Sequence, residues 1–238
     1  MTLLSVVRDV CSAVGVLQPT SVFSGITGNR TMQEMLALAN EIAQRIAYDS
    51  RDWTTLKKTT SFLAGTGATI DPNDLLTKGC DVFTLPANYK RMLLTSNVYR
   101  STLPDQHMNF VPDTDVWLNH RINNYNAEAN GEWTLIGDKM HIYPALTEGQ
   151  IAYFAYLDKN CINLAGGGRG DLFQDDLDSF ALSERVLKLG MTWQWKAHKG
   201  SPYAEDVGTY GDALTYEMGH DSPAPIIVGG GYYANRWG

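Results

Sequence analysis

A chain of 238 residues with 44% hydrophobic content has the material for one large domain or two small ones around a packed core, which places it among globular proteins. A net charge of −7, with 19 Lys and Arg scattered along the sequence, argues against an electrostatic grip on nucleic acid, because neutralising phosphates needs clustered cations. Cys11, Cys80 and Cys161 are odd in number and far apart, which excludes a disulfide framework and a paired zinc spacing; reduced thiols in a cytosolic setting are expected.

The chain opens MTLLSVVRDVCSAVGV, in which Arg8 and Asp9 interrupt the apolar residues and no basic segment precedes them. It reads as an amphipathic helix over residues 2–14, not as a signal peptide, with Leu3, Val7, Val10 and Val14 on one stripe and Gly15 as its stop. After a loop rich in Gly, Ser and Thr, Thr31 and Glu34 form a capping-box pattern ahead of Met35, Ala39, Ile42, Ala43 and Ile46. That predicts a second helix ending near Tyr48, whose small Ala37, Ala39, Ala43 and Ala47 would admit a neighbour closely.

From Thr59 to about Asn160 the period shortens to alternating, aromatic-rich runs, the pattern of strands. The clearest is a hairpin in which Gly137-Asp138 joins Trp133–Leu135 to Met140–Tyr143. Residues 91–99 and 150–157 read as further strands, residues 113–120 as a short helix, and AGGGRGD at 165–171 as a flexible loop. No apolar run reaches membrane-spanning length.

Helical signals return after Asp178. Ser183 is an N-cap candidate for a helix carrying Trp193 and Trp195, which Gly200 ends. Ser201 as N-cap and Pro202 at the first position then predict another helix with Tyr203, Val207, Tyr210, Leu214 and Met218 at spacings of four and three. The last segment, HDSPAPIIVGGGYYANRWG, opposes a helix through Pro223 and Pro225 and compact packing through Gly229–Gly231, yet it is apolar at Ile226, Ile227, Val228, Tyr232, Tyr233 and Trp237. Such a tail is expected to order against another chain. The expected fold is α+β: a helical bundle built from N-terminal (1–58) and C-terminal (171–219) helices, with an inserted antiparallel β region (59–170) and an extended tail (220–238).

The order LALANEIAQRIAYDSRDWTTL, DVFTLPANYKRML, GDKMHIYPALTEGQIAYFAY and LGMTWQWKAHKGSPYAEDVGTYGDAL resembles the head-to-tail adaptors of tailed bacteriophages, the group similar to tail tubular protein A. The most specific part is Trp193-Gln194-Trp195-Lys196 followed by Gly200-x-Pro202-Tyr203-Ala204-Glu205-Asp206. The resemblance implies a virion protein at the head–tail junction, assembled in the host cytoplasm as a ring of about twelve copies with heterologous contacts, a dodecamer in this group. It implies as partners the portal above and a tail nozzle or tube protein below. Double-stranded DNA would pass through the lumen without specific binding, and no membrane, metal or cofactor is involved. Ile226, Ile227, Tyr232, Tyr233 and Trp237 are then the portal-binding candidates, on a segment that extended would span about 60 Å. Trp193, Trp195, Tyr203, Val207 and Tyr210 are candidates for the bundle core or the contact between subunits.

The enzymatic alternative, a tail-associated peptidoglycan hydrolase accessory, needs a carboxylate pair with one member in an apolar cleft, and Glu132 beside Trp133 is the one candidate. A hairpin-edge salt bridge or a solvated position explains Glu132 as well. The five histidines lack HExxH or other paired ligand spacing, and Gly166–Gly170 lacks the GK[ST] ending of a phosphate loop. Asp171, Asp175, Asp176 and Asp178 are dense enough to hold a cation but not spaced as an EF-hand, and Asp178 reads as helix-start charge. No catalytic residue and no metal ligand is expected.

Overall fold

The computed structural model describes residues 1–24, 26–64, 81–94, 96–123 and 130–221. In chain order the elements are α1 (Leu3–Ala13), α2 (Arg30–Tyr48), β1 (Lys57–Leu63), β2 (Val82–Thr84), β3 (Tyr89–Met92), β4 (Val98–Arg100), β5 (Leu103–Phe110), α3 (Thr114–Ile122), β6 (Glu132–Ile136), β7 (Lys139–Tyr143), β8 (Ile151–Asp158), β9 (Ile162–Asn163), β10 (Arg169–Gly170), β11 (Ser179–Phe180), α4 (Glu184–His198) and α5 (Ala204–His220). They fall into two compact units, one of Met1–Thr55 with Cys161–Gly238 and one of Leu56–Asn160.

The expected helical bundle with an inserted antiparallel β region is overturned. Strands β1–β8 make a single eight-stranded sheet, in the order β1-β8-β4-β5-β6-β7-β2 with β3 also on β8, and it is mixed and nearly barrel-shaped. The parallel step lies between β5 and β6, where Asn109 faces Glu132 and Phe110 faces Trp133. A two-residue turn can only return a strand antiparallel, whereas the connection between β5 and β6 carries α3 and so lets both strands run the same way. Alternation of side chains is the same in both arrangements, so the sequence pattern does not separate them. Phe62 on β1 stacks on Phe83 on β2 with ring centroids 4.8 Å apart, although these strands stand at opposite ends of the order. The sheet therefore curls until its edges share one core, filled by Phe83, Val98, Met108, Trp133, Met140, Ile142 and Phe154.

The β6–β7 hairpin has its Gly137-Asp138 turn where expected, with Gly137 at φ +64°. Trp133 opposite Ile142 and Leu135 opposite Met140 belong to the core. The alternate pairs, Glu132 with Tyr143 and Thr134 with His141, occupy the other face, and α3 covers it through Trp117, His120 and Arg121. Asp113 caps α3 by accepting from the amides of Asp115 and Val116. The strand expected over residues 91–99 is instead two, β3 and β4, which sit one after the other along the same edge of β8.

In the other unit α4 lies against α1, α2 and α5. Thr2 caps α1 through a reciprocal bond with Ser5, and Leu3, Val6, Val7, Val10 and Cys11 form its buried stripe. Asn29, not Thr31, caps α2, and Glu34 points instead toward Arg30 and Lys199. The close approach of α2 and α4 is set by Gly190, where a Cβ would stand 2.5 Å from Ile42 Cγ2. Helix α5 begins at Ala204 with Tyr203 as its N-cap, so Ser201 and Pro202 precede the helix instead of opening it. Among the described residues no helix is long and apolar enough to cross a membrane.

Candidate functional site

Helix α5 is held to its unit along one edge. Trp193 of α4 lies between Tyr203 and Tyr210, at ring centroid distances of 6.3 and 6.1 Å. Lys196 Nζ pairs with Asp206 at 2.7 Å, and Ser183 Oγ donates to Glu217 at 2.8 Å. At the C-terminal end Asp221 accepts from the Thr54 amide at 3.0 Å and lies 3.5 Å from Arg51 Nε, while Arg51 Nη1 donates to the Met218 carbonyl. The attached face is thus Tyr203, Asp206, Tyr210, Ala213 and Glu217, spaced three and four apart as one stripe of a helix requires. Burial raises the Tyr210 phenol above its ordinary pKa, and Arg45 partly offsets that.

Among the described residues nothing covers the opposite face. Of the seventeen residues of α5 only Ala213 is buried, while Val207 and Tyr216 remain 39% and 59% exposed. Glu205, Gly208, Gly211, Asp212, Thr215 and Gly219 are also exposed, and a Cβ at any of these glycines would meet nothing. The opposite face is therefore small-featured and acidic, with the exposed Val207 and Tyr216 on its two flanks and no Lys or Arg on the helix.

A groove of about 330 Å³ lies between α2 and α4 in the same unit, lined by Arg30, Glu34, Leu38, Glu41, Trp195 and Lys199. Lys199 Nζ is 2.6 Å from Glu34 and sits 4.5 Å from the centre of the Trp195 ring, a cation–π contact. Hydrogen bonds from Lys199 first and Arg30 second hold the Glu34 carboxyl below the usual carboxylate range. Trp195 is 6% exposed and Trp193 half-buried. Residues two apart on a helix differ by roughly 200° around its axis. Trp193 therefore faces α5 and Trp195 the groove, from opposite sides of α4. The proposed portal anchors Ile226, Ile227, Tyr232, Tyr233 and Trp237, together with Cys80, lie outside the described residues.

The acidic cluster ties a loop. Asp178, buried, accepts from the amides of Ala165, Gln174 and Asp175 at 2.8, 2.6 and 2.8 Å, and Asp176 accepts from Val22 at 2.7 Å. The carbonyls of Asp178 and Asp176 receive the Leu3 and Leu4 amides, which satisfies the free N–H groups at the start of α1. Asp178 therefore serves the beginning of α1, a sequence-distant helix, and not the helix that follows it. Among the described residues no group of three or more His, Cys, Asp and Glu is placed to hold a metal. Cys11 and Cys161 are buried and not joined in a disulfide, Cys161 Sγ accepts from the Tyr48 hydroxyl at 3.7 Å, and burial raises the pKa of Cys11.

Glu132 is neither solvated nor at an open hairpin edge. Its Oε2 is 2.9 Å from His120 Nδ1 beneath α3, next to a second pair in which Arg121 Nη2 reaches Asp81 at 2.6 Å. The Arg121 guanidinium also lies 5.2 Å from the centre of the Tyr143 ring. These contacts hold α3 on the sheet, where the sequence signalled a short helix over residues 113–120 and a salt bridge for Glu132 but not their partners. On the outer face of the sheet, Thr59, Ser61, Ser96, Asn97, Tyr99 and Tyr153 line an uncharged groove of about 510 Å³. No protein-family model matches the chain, and a search of curated proteins gives no match.

Proposed function

We propose that this chain is a structural protein of a tailed-phage virion, a head-to-tail adaptor that forms a ring between portal and tail and gives passage to the genome DNA. The observation that carries the reading is α5, a helix attached along one stripe whose other face no described residue covers. A head-to-tail ring needs two different surfaces on each subunit, one to fit the other on its neighbour. The outer face of α5 and the groove between α2 and α4 lie on opposite sides of α4, which is the placement such a contact requires. The acidic net charge suits a lumen through which DNA moves without sticking. In this reading about twelve copies close the ring, the chain is not an enzyme, and Ile226, Ile227, Tyr232, Tyr233 and Trp237 fasten it to the portal.

The test is co-sedimentation with purified portal of the full chain and of a chain ended after Asp221, a cut that keeps the contacts of Asp221 to Thr54 and Arg51. The truncated chain is expected to melt as the full chain does and to lose stable attachment, because aromatic anchors of this kind contribute about 2 kcal/mol or more each. Undiminished binding by the truncated chain would overturn the tail's role.

A further inference from the structure

The walls of the groove on the outer face of the sheet follow from strand register. Val98, Phe154 and Tyr156 turn into the core, so by alternation Tyr99, Tyr153 and Ala155 turn outward. Ser61 on β1, Tyr153 on β8 and Tyr99 on β4 are partners across three neighbouring strands, and two residues along Thr59 faces Ala155. Beyond Ala155 the neighbouring edge is broken, because β3 pairs with β8 as far as Met92 opposite Tyr156 and β4 pairs with it from Tyr99 opposite Tyr153. Ser96 lies in that break, and its Oγ accepts from the Ala155 amide at 3.3 Å. The break therefore leaves no backbone donor wanting, and a small residue forms the floor. Tyr99 and Tyr153 stand beside it at 38% and 45% exposure.

The groove holds about 510 Å³, within the ~300–1,000 Å³ of small-molecule sites. None of its lining residues is charged, so it offers a phosphate no cation and a basic group no carboxylate. Among the described residues the hydroxyls of Thr59, Ser61, Tyr99 and Tyr153 and the side-chain amide of Asn97 have no hydrogen-bond partner. An apolar partner would take these groups out of water and leave them unpaired. Hydroxyls and amides both donate and accept, and tyrosine adds a rigid wall with an apolar ring and a polar tip. The ligand that complements this lining is uncharged, rich in hydroxyls, and has C–H faces that can lie on an aromatic ring.

We propose that this groove binds a neutral saccharide, with Tyr99 and Tyr153 as its stacking wall and Thr59, Ser61 and Asn97 as its hydrogen-bonding partners. The proposal stands apart from the adaptor reading, since it concerns the sheet unit and makes no use of α5.

The test titrates the full chain with four neutral trioses, cellotriose, maltotriose, mannotriose and N-acetylchitotriose, and follows the backbone amide resonances by NMR. At least one triose is expected to give saturable shifts confined to residues 59–61, 96–99 and 153–155. Tyr99→Ala and Tyr153→Ala should each weaken that binding about tenfold. Tyr153→Phe, which keeps the ring and loses the hydroxyl, should weaken it about threefold. Tyr216→Ala, on α5, should leave it unchanged. Equal affinity in the wild type and both groove alanine variants overturns the proposal. If those variants do not fold, the wild type decides: saturable shifts confined to the groove support the site, and no shift with any triose overturns it. Comparing the bound triose with its parent monosaccharide separates two sources of the ligand. Equal affinity assigns the groove to a single free sugar, and affinity that rises with chain length assigns it to a polysaccharide. Shifts of the same amides on concentrating the protein, with none on adding any triose, would place a second copy in the groove and overturn the proposal.

Discussion

α4 and α5 follow one another in the chain and are similar in length, yet α4 buries seven residues from Val186 to Trp195 while α5 buries Ala213 alone. α4 is enclosed because α1, α2 and α5 all lie against it, whereas among the described residues α5 packs along one side only. Amphipathic spacing is present in both. What separates them is the number of neighbours, and only tertiary packing decides that. Substitutions in α4 should therefore act on folding, and substitutions on the outer face of α5 on what the protein joins.

The largest effect is expected at Trp195. Trp195→Ala removes a buried indole and leaves a cavity, and it should cost about 3–5 kcal/mol in denaturant melts. An unchanged midpoint would remove α4 from the centre of its unit. Gly190→Ala comes next, at about 1–3 kcal/mol, because the added methyl meets Ile42 and Tyr210 where α4 packs most tightly. The same exchange at Gly208 or Gly211 on α5 should be neutral or slightly stabilising, since nothing stands near either position and Ala is the better helix former.

The smallest effect concerns the exposed end of α4. The Glu34 carboxyl is lowered by its bonds to Lys199 and Arg30, so its contribution is present above its unfolded pKa and is lost as pH falls through its folded pKa. The Tm difference between wild type and Glu34→Gln should be visible at neutral pH and vanish below the ordinary carboxylate range. A difference that persists in acid would assign it to packing.

Much of the local structure was legible in the sequence. The stripe from Met35 to Ile46, the Gly137-Asp138 turn and the Asp113 start of α3 are each written within a few consecutive residues. What was not legible depends on residues far apart in the chain. The parallel pairing of β5 with β6, the curl that brings Phe62 onto Phe83, and the hold of Asp178 on the start of α1 have no local signature. Ser201-Pro202 carries a helix-start pattern, but the helix begins two residues later, at Ala204. At the candidate site, the spacing of Trp193, Tyr203 and Tyr210 shows in the sequence that they share a helix pair, but not that Val207 and Tyr216 stay open.

The exposed face of α5 is proposed to join one copy to the next. Its most direct test is negative-stain microscopy of the full chain mixed with purified portal, beside Val207→Asp and Tyr216→Asp variants. Both exposed substitutions should leave the melt within about 0.5 kcal/mol of wild type. Closed rings of about twelve copies on the portal are expected for the wild type and none for either variant. Rings formed equally well by Val207→Asp and Tyr216→Asp, or a wild type that stays monomeric beside the portal, would contradict it.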